Sequence, residues 1–199
     1  MTEILAFNKW STKGIEVKDP GLKKYINLEA TYVPRTGARY AGSRFHKSRV
    51  FIVERLINRL MVPGHKAKKH KISSGIITGK ANTAMKLVEN SFKIIETKLK
   101  KNPIEVFVGA LENAAPREEI ITIEYGGARY PKSVEVAPQR RIDIVLKLMT
   151  QGSFQKTHNS KKSAEQALAD ELINAYQLSP LSVAISKKLE LERQADASR

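Results

Sequence analysis

Apolar residues recur at intervals of three and four along most of the chain, which predicts a mainly helical fold. The first sustained helix is expected at residues 49–62, and its apolar face carries Val53, Leu56, Ile57, Leu60 and Met61. We expect the opposite, polar face to be solvated, and it carries Glu54, Arg55, Asn58 and Arg59. Pro63-Gly64 ends this helix.

A second helix is predicted from about Lys80 to Lys101, because one face carries Met85, Val88, Phe92, Ile95 and Leu99. Asn102-Pro103 ends it and begins the next helix, with Asn102 as N-cap and Pro103 at the first helical position. Pro116 ends that third helix, whose inward face is Phe107, Ala110, Leu111 and Ala114.

Three further helices are predicted near the C-terminal end. Pro138 opens the first of them, and Gly152 is expected to end it. Ser163 and Gln166 form a capping box at the start of the next. Ser179-Pro180 begins the last helix. Its apolar positions thin out into KLELERQADASR, so we expect it to leave the body and fray.

Residues 119–141 have a period of two instead of a helical period. Apolar and polar residues alternate on both sides of Gly126-Gly127, a pair that tolerates the positive φ of a tight turn. We therefore predict an antiparallel ribbon of half-buried strands at 119–137 that protrudes from the body. Its tip is expected to be cationic, with Arg129, Tyr130 and Lys132 at or just past the turn. Taken alone, an ordinary surface hairpin with solvated charges explains the same pattern.

The charge is strongly unbalanced, since 35 Lys and Arg stand against 20 Asp and Glu and give a net charge of +15. This balance indicates a polyanionic partner, either nucleic acid or an anionic membrane surface. No apolar run approaches the roughly 20 residues of a membrane-spanning helix, and no signal peptide pattern is present. We therefore expect an intracellular protein that binds nucleic acid. The absence of cysteine excludes disulfides, thiolate catalysis and cysteine-ligated zinc.

Three basic tracts separate the predicted helices, at 35–49, 65–80 and 129–141. The first interleaves glycine and aromatic residues with cations, which suits approach to phosphates and stacking on bases, and a disordered basic tail is the alternative. The second is typical of a long loop, and loops of this length are usually functional or disordered. We expect these two tracts to contact RNA through Arg35, Arg39, Arg44, Lys47, Arg49, Lys66, Lys68, Lys69, Lys71 and Lys80.

The composition divides the chain into three parts. A basic, extended N-terminal extension covers residues 1–49, a helical body covers 50–177 and carries the ribbon at 119–137, and a C-terminal helix and tail cover 178–199. The fold class is therefore mainly α, with a bundle of about six helices and one protruding β-hairpin. We expect no homo-oligomer and no membrane contact.

The sequence lacks the motifs that would indicate catalysis. His65 and His70 stand five residues apart, and no HExxH motif, phosphate-binding loop or nucleophile elbow occurs. We therefore expect neither an enzyme nor a bound metal or cofactor. A DNA-bending protein with a basic ribbon arm is a second hypothesis. It requires an apolar wedge at the ribbon tip, where this chain has Tyr130 and Pro131.

The order of several motifs resembles one known family. The motifs are INRLMV at the end of the first helix, ALENAAPREE before the ribbon, and YGGARYPKSVEVAPQRR running into IDIVLKLM. Together they resemble the universal small-subunit ribosomal protein number seven family over roughly residues 50–199. The first 49 residues and the insertion GHKAKKHKISSGIITGK are similar to its archaeal and eukaryotic branch.

The resemblance implies a structural protein in the head of the small ribosomal subunit, in the cytoplasm. It implies binding to the 3′ major domain of the small-subunit rRNA, nucleation of head assembly, and a ribbon near the exit-site tRNA and the mRNA path. Neighbouring ribosomal proteins of the head and platform are further implied partners. By position in the motifs, Arg140 and Arg141 are implied rRNA contacts at the ribbon base, and the implied tRNA- and mRNA-proximal residues are Arg129, Tyr130 and Lys132.

Overall fold

A computed structural model describes residues 3–63 and 79–199. Within these ranges the elements in chain order are α1 (Pro20–Lys23), α2 (Ile52–Leu60), α3 (Ala81–Leu99), α4 (Pro103–Ala114), β1 (Glu118–Tyr125), β2 (Ala128–Glu135), α5 (Pro138–Thr157), α6 (Ala164–Tyr176) and α7 (Val183–Ala197). Because α1 is a single turn, six longer helices and one antiparallel ribbon confirm the predicted fold class. Among the described helices, none has the length and apolar character needed to cross a membrane.

Helix α6 is the centre of the body, because it packs against α3, α4 and α5. Ser163 caps its N-terminus by accepting a hydrogen bond from the Gln166 N–H at 3.2 Å, as predicted. The apolar stripes predicted for α3 and α4, together with two leucines of α6, supply much of the core, including Val88, Phe92, Ile95, Phe107, Leu111, Leu168 and Leu172. Burying each large apolar side chain stabilises the fold by about 1.5–3 kcal/mol.

The N-terminal residues lie along the body and reach into its core. Trp10 packs edge-on against Phe92, with ring centroids 5.8 Å apart, and its Nε1–H donates to Glu96 at 3.1 Å. Leu22, on α1, is fully buried. Asn102 connects this layer to α4, because its Oδ1 accepts from the Ile104 N–H while its Nδ2 donates to the Ser11 carbonyl at 2.7 Å.

Two of the four residues on the polar face of α2, Glu54 and Arg55, are buried, which contradicts the prediction that this face is solvated, whereas Asn58 is exposed. Glu54 is 2% exposed and Arg55 is 6% exposed. The prediction was wrong because residues 25–36 cover this face. Glu54 accepts from both the N–H and the hydroxyl of Thr36 at 2.8 Å, and Arg55 donates to the Tyr25 carbonyl at 3.1 Å.

Gly152 lies inside α5, which continues to Thr157. A Cβ atom at position 152 would lie 2.9 Å from the Val183 Cβ and 3.2 Å from the Glu171 Cδ. The prediction that this glycine ends the helix was therefore wrong. It allows α5, α6 and α7 to approach closely, a role that local sequence does not distinguish from a C-cap.

Helix α7 stays against the body, so the expectation that the last helix leaves it was wrong. It packs on β1 and α5. The Lys188 ammonium donates to the Asn113 carbonyl at 2.8 Å, and the Arg117 N–H donates to Glu192 at 3.1 Å. The helix begins at Val183, with Ser182 as N-cap, which is later than the predicted Ser179-Pro180.

Candidate nucleic-acid interface

The basic segment, residues 35–49, presents five exposed cations: Arg35, Arg39, Arg44, Lys47 and Arg49. Lys47 pairs with Asp143, with a distance of 2.8 Å between Nζ and Oδ2. The four arginines form no ion pair with any residue in the part of the chain that the structure describes. An unpaired guanidinium at the surface can bind a phosphate without first losing an internal partner. Within the part of the chain that the structure describes, the basic segment is therefore a surface well prepared to bind anions.

An exposed aromatic ring lies within the basic segment. Phe45 is 52% exposed, and the Arg44 guanidinium lies 5.5 Å from its ring centroid. The Tyr25 ring contacts Phe45 edge-on, with centroids 6.5 Å apart. A guanidinium and an aromatic ring side by side offer both a phosphate contact and a stacking surface for an unpaired base.

The second basic tract is described only at its end. Lys66, Lys68, Lys69 and Lys71 lie outside the described residues. Lys80 is exposed and immediately precedes α3, at its N-cap position. The prediction that these lysines contact RNA therefore stays a prediction.

The two strands of the ribbon are connected by the predicted glycine turn. Gly126 and Gly127 have φ values of +57° and +84° and form a two-residue turn between the paired residues Tyr125 and Ala128. These left-handed conformations favour glycine. Residues 121–130 are all exposed, so the expected half-burial of the strands was wrong in this part, because the ribbon extends beyond the body.

The ribbon is not cationic. Residues 118–135 contain four glutamates and two cations, a net charge of −2. Arg129 pairs with Glu124 across the strands at 3.5 Å, and Lys132 lies opposite Ile121, the fifth of eight residue pairs counted from the turn. The ribbon as a whole is therefore acidic, and its two cations follow the turn on β2, while their contact with tRNA or mRNA stays a prediction.

One face of the ribbon carries four exposed aliphatic and aromatic side chains beside Lys132. Ile123 lies opposite Tyr130, and their exposed fractions are 42% and 58%. Ile121 and Tyr125 lie on the same face, since residues two apart in a strand point the same way. Tyr125, at 82%, is the most exposed of the four. Tyr125 was not among the predicted site residues, although the alternation of apolar and polar residues around it was the available signal.

The two arginines at the ribbon base differ in their surroundings. Arg140 has a side chain 58% exposed and binds both carboxylate oxygens of Glu119, at 2.7 and 2.5 Å. This hydrogen bonding raises the pKa of Arg140 and lowers the pKa of Glu119.

The Arg141 side chain, by contrast, is only 10% exposed. It donates to the Pro116 carbonyl at 3.0 Å and to Asp19 at 2.8 Å. The expectation that Arg141 contacts rRNA together with Arg140 is therefore corrected, because the Arg141 guanidinium is engaged inside the protein. Arg140 remains a candidate RNA contact.

Residues 3–63 and 79–199 contain no group of three or more His, Asp or Glu side chains arranged to hold a metal ion. The site is defined instead by surface cations and exposed rings. In contrast with an enzyme's active site, these groups lie on an open surface.

Comparison with known proteins agrees with this arrangement. The model of the family described as Ribosomal protein S7p/S5e matches residues 22–199. The chain is also 49% identical over 193 residues to the small ribosomal subunit protein uS7 of Nanoarchaeum equitans (strain Kin4-M), which covers 97% of this chain and 98% of that protein. The match includes the basic segment and the ribbon. The chain therefore belongs to the ribosomal protein S7p/S5e family.

Proposed function

We propose that this chain, a structural protein of the small ribosomal subunit, binds the 3′ major domain of the small-subunit rRNA and nucleates assembly of the head. As a member of its family it is not an enzyme, and it acts in the cytoplasm within the ribosome. rRNA and neighbouring ribosomal proteins are its partners.

The unpaired arginines of the basic segment are the observation that carries the proposal. Arg35, Arg39, Arg44 and Arg49 are exposed, without an acidic partner among the described residues, in a chain of net charge +15. Their planar guanidinium groups match phosphate oxygens in pairs. The adjacent ring of Phe45 is exposed and can stack on an unpaired base, which favours a folded RNA with exposed bases as the ligand.

The ribbon is proposed to lie near the exit-site tRNA and the mRNA path. Its net charge of −2 argues against neutralisation of phosphates as its main contribution. Tyr125 and Tyr130 instead offer exposed rings on which bases can stack, while Arg129 and Lys132 supply phosphate contacts beside them. Arg140, at the base, is proposed to contact rRNA while it remains close to Glu119.

The alternative of a DNA-bending protein loses its structural support. Such a protein inserts an apolar wedge at the end of its arm. Here the arm ends in Tyr125, Gly126, Gly127 and Ala128. The family assignment points in the same direction.

The test is binding of the full chain to two transcripts, one of the 3′ major domain and one of the 5′ domain of small-subunit rRNA. We expect tight binding to the 3′ domain that weakens by about 10³- to 10⁵-fold between 50 and 200 mM salt, as for six to ten phosphate contacts. The 5′ domain transcript should bind more weakly at each salt concentration. Equal affinity for the two transcripts, or binding to the 3′ domain that is indifferent to salt, would contradict the proposal.

A further inference from the structure

Two carboxylates of the body hold the basic segment in place. Glu54, on α2, accepts hydrogen bonds from the backbone N–H and from the hydroxyl of Thr36, both at 2.8 Å. Thr36 lies between the exposed Arg35 and Gly37, at the start of the segment. Asp143, on α5, accepts from the Lys47 ammonium at 2.8 Å, near the end of the segment. The basic segment is thus attached to the body close to both of its ends.

The first attachment uses a buried carboxylate, although packing at this position does not require a charged group. Glu54 is 2% exposed, and its second carboxylate oxygen has no hydrogen-bond partner among the described residues. A buried carboxylate with an unsatisfied oxygen costs stability, and an apolar residue of similar size would avoid that cost. What the carboxylate adds is a specific contact with one backbone position of the segment, Thr36.

The second attachment, at Asp143, is linked to a buried residue of the core. Asp143 uses one oxygen for Lys47 and the other for the Arg55 guanidinium, at 3.0 Å. Arg55 is 6% exposed and also donates to the Tyr25 carbonyl at 3.1 Å. Lys47 is therefore connected through Asp143 to a buried arginine, which ties the position of this cation to the packing between α2 and α5.

Between the two attachments the chain has an irregular path. Gly37, Ala38 and Phe45 have φ values of +58°, +61° and +57°. Arg39 and Arg44 lie within this stretch, and their side chains face solvent. The internal backbone contacts of this stretch are single-turn hydrogen bonds, such as the one from the Ala41 N–H to the Ala38 carbonyl at 2.9 Å, so holding its ends further limits the conformations it can adopt.

We infer that Glu54 and Asp143 are positioning residues for RNA binding, which present the basic segment as a preformed cationic edge. The inference rests on the proposed function. A preformed segment loses less conformational freedom on binding than a free basic tail with the same charges. Neither carboxylate contacts RNA itself, and their effect passes through Thr36 and Lys47.

One salt titration of RNA binding measures two separate quantities. The slope of log K against log salt reports how many phosphates are neutralised, and the affinity at fixed salt also includes the cost of ordering the segment. Detaching the segment leaves its cations able to reach the RNA. Glu54→Ala should therefore weaken binding to the 3′ domain transcript by about ten- to a hundredfold while the slope stays unchanged.

The experiment uses the full chain with Glu54→Ala, Glu54→Gln, Asp143→Ala and, as control, Glu171→Ala. Glu171 is equally buried but binds Ser182 and Lys156, neither of which belongs to the basic segment, so its loss destabilises the fold without removing a contact of that segment. All variants are measured at a temperature where circular dichroism shows them folded. Glu54→Gln should restore part of the affinity, because its amide oxygen still accepts from Thr36.

Limited proteolysis of the free protein gives a second readout. Glu54→Ala and Asp143→Ala should expose residues 35–49 to cleavage, whereas Glu171→Ala should not. If Glu54→Ala binds as the unchanged protein does, or if Glu171→Ala weakens RNA binding as much, the positioning role is overturned. If the unchanged chain itself fails to bind the 3′ domain transcript, it is the proposed function that fails, so the two failures are distinguishable.

Discussion

Arg141 on α5 and Asp19 before α1 form an ion pair, with 2.8 Å between Nη2 and Oδ2, across 122 residues of sequence. The same guanidinium donates to the carbonyl of Pro116, two residues before the ribbon begins. Asp19 in turn caps α1 by accepting from the Gly21 N–H at 2.8 Å. The Arg141 side chain thus connects the N-terminal layer, the base of the ribbon and α5.

Arg141→Ala should destabilise the protein, by about 3 kcal/mol, because it leaves the Asp19 carboxylate and the Pro116 carbonyl without their donor. Arg140→Ala is the matched comparison at the neighbouring position. It removes an exposed pair with Glu119 and should cost less than about 1 kcal/mol. Urea denaturation followed by circular dichroism measures both. Equal losses of stability would contradict the distinction between the two arginines.

Acid should weaken the contact between the N-terminal layer and the body. Burial opposes ionisation of Asp19, but hydrogen bonds from Arg141 and from the Gly21 N–H outweigh it and hold the pKa of Asp19 below its usual 3.8. A carboxyl group with a lowered pKa contributes stability that is present above the pKa of the unfolded chain, about 3.9, and is lost as pH falls through the folded value.

The free energy of unfolding should therefore fall more steeply below about pH 4 in the unchanged protein than in Asp19→Asn. The amide variant keeps the oxygen that caps α1 but carries no charge to lose. Urea denaturation at a series of pH values between 6 and 2.5 measures the two curves. Parallel curves would show that Asp19 does not contribute to the acid dependence.

Gly152→Ala should destabilise the body by about 1–3 kcal/mol, because the added methyl group has no room beside Val183 and Glu171. Gly42→Ala is the matched control. It adds the same methyl group at an exposed position with nothing within 4 Å and no positive φ. Thermal unfolding should separate the two variants. Unchanged stability of Gly152→Ala would show that the three helices separate easily at this point.

Removing the tyrosine rings of the ribbon should weaken retention of tRNA more than binding of rRNA. Tyr125→Ala combined with Tyr130→Ala removes two exposed stacking surfaces, each worth about 1–3 kcal/mol per stacked base. Reconstituted small subunits that carry this variant should retain deacylated exit-site tRNA at least tenfold less well, while binding of the free protein to the 3′ domain transcript is unchanged.

Two controls accompany the tyrosine variants. Tyr125→Phe with Tyr130→Phe keeps the rings and should retain tRNA. Tyr32→Ala removes an exposed ring, 61% accessible, that lies outside the ribbon, and should also retain it. Loss of tRNA with Tyr32→Ala, or full retention without both ribbon tyrosines, would argue against stacking on the ribbon.

Local signals were enough to predict most elements of this fold. The apolar stripe of α3, the Asn102 cap of α4 and the Gly126-Gly127 turn each depend on neighbouring residues, and each is confirmed. What could not be predicted depends on distant parts of the chain. Glu54 lies on the polar side of a helical wheel, and only the covering residues 25–36 bury it.

The same limit applies to the candidate site. Arg140 and Arg141 are identical in type and adjacent, so sequence treats them alike. Only the fold brings Asp19 to one and Glu119 to the other. Cations such as Arg39 and Arg44 could be named from composition, but their lack of an acidic partner among the described residues is a property of the folded chain.

The most direct test of the account is the salt dependence of RNA binding after the four unpaired arginines are replaced. The variant carries Arg35→Gln, Arg39→Gln, Arg44→Gln and Arg49→Gln. The control has the same change in net charge, because four lysines are replaced by Gln. These lysines pair with acidic residues around α3 and α6, and they are Lys9, Lys93, Lys98 and Lys162. On the 3′ domain transcript, the slope of log K against log salt should become shallower by about three in the arginine variant, because each phosphate that is no longer neutralised contributes roughly 0.7–0.9. In the control the slope should stay nearly unchanged. An unchanged slope in the arginine variant, or an equal change in both, would contradict the claim that the basic segment is the RNA-binding edge of this protein.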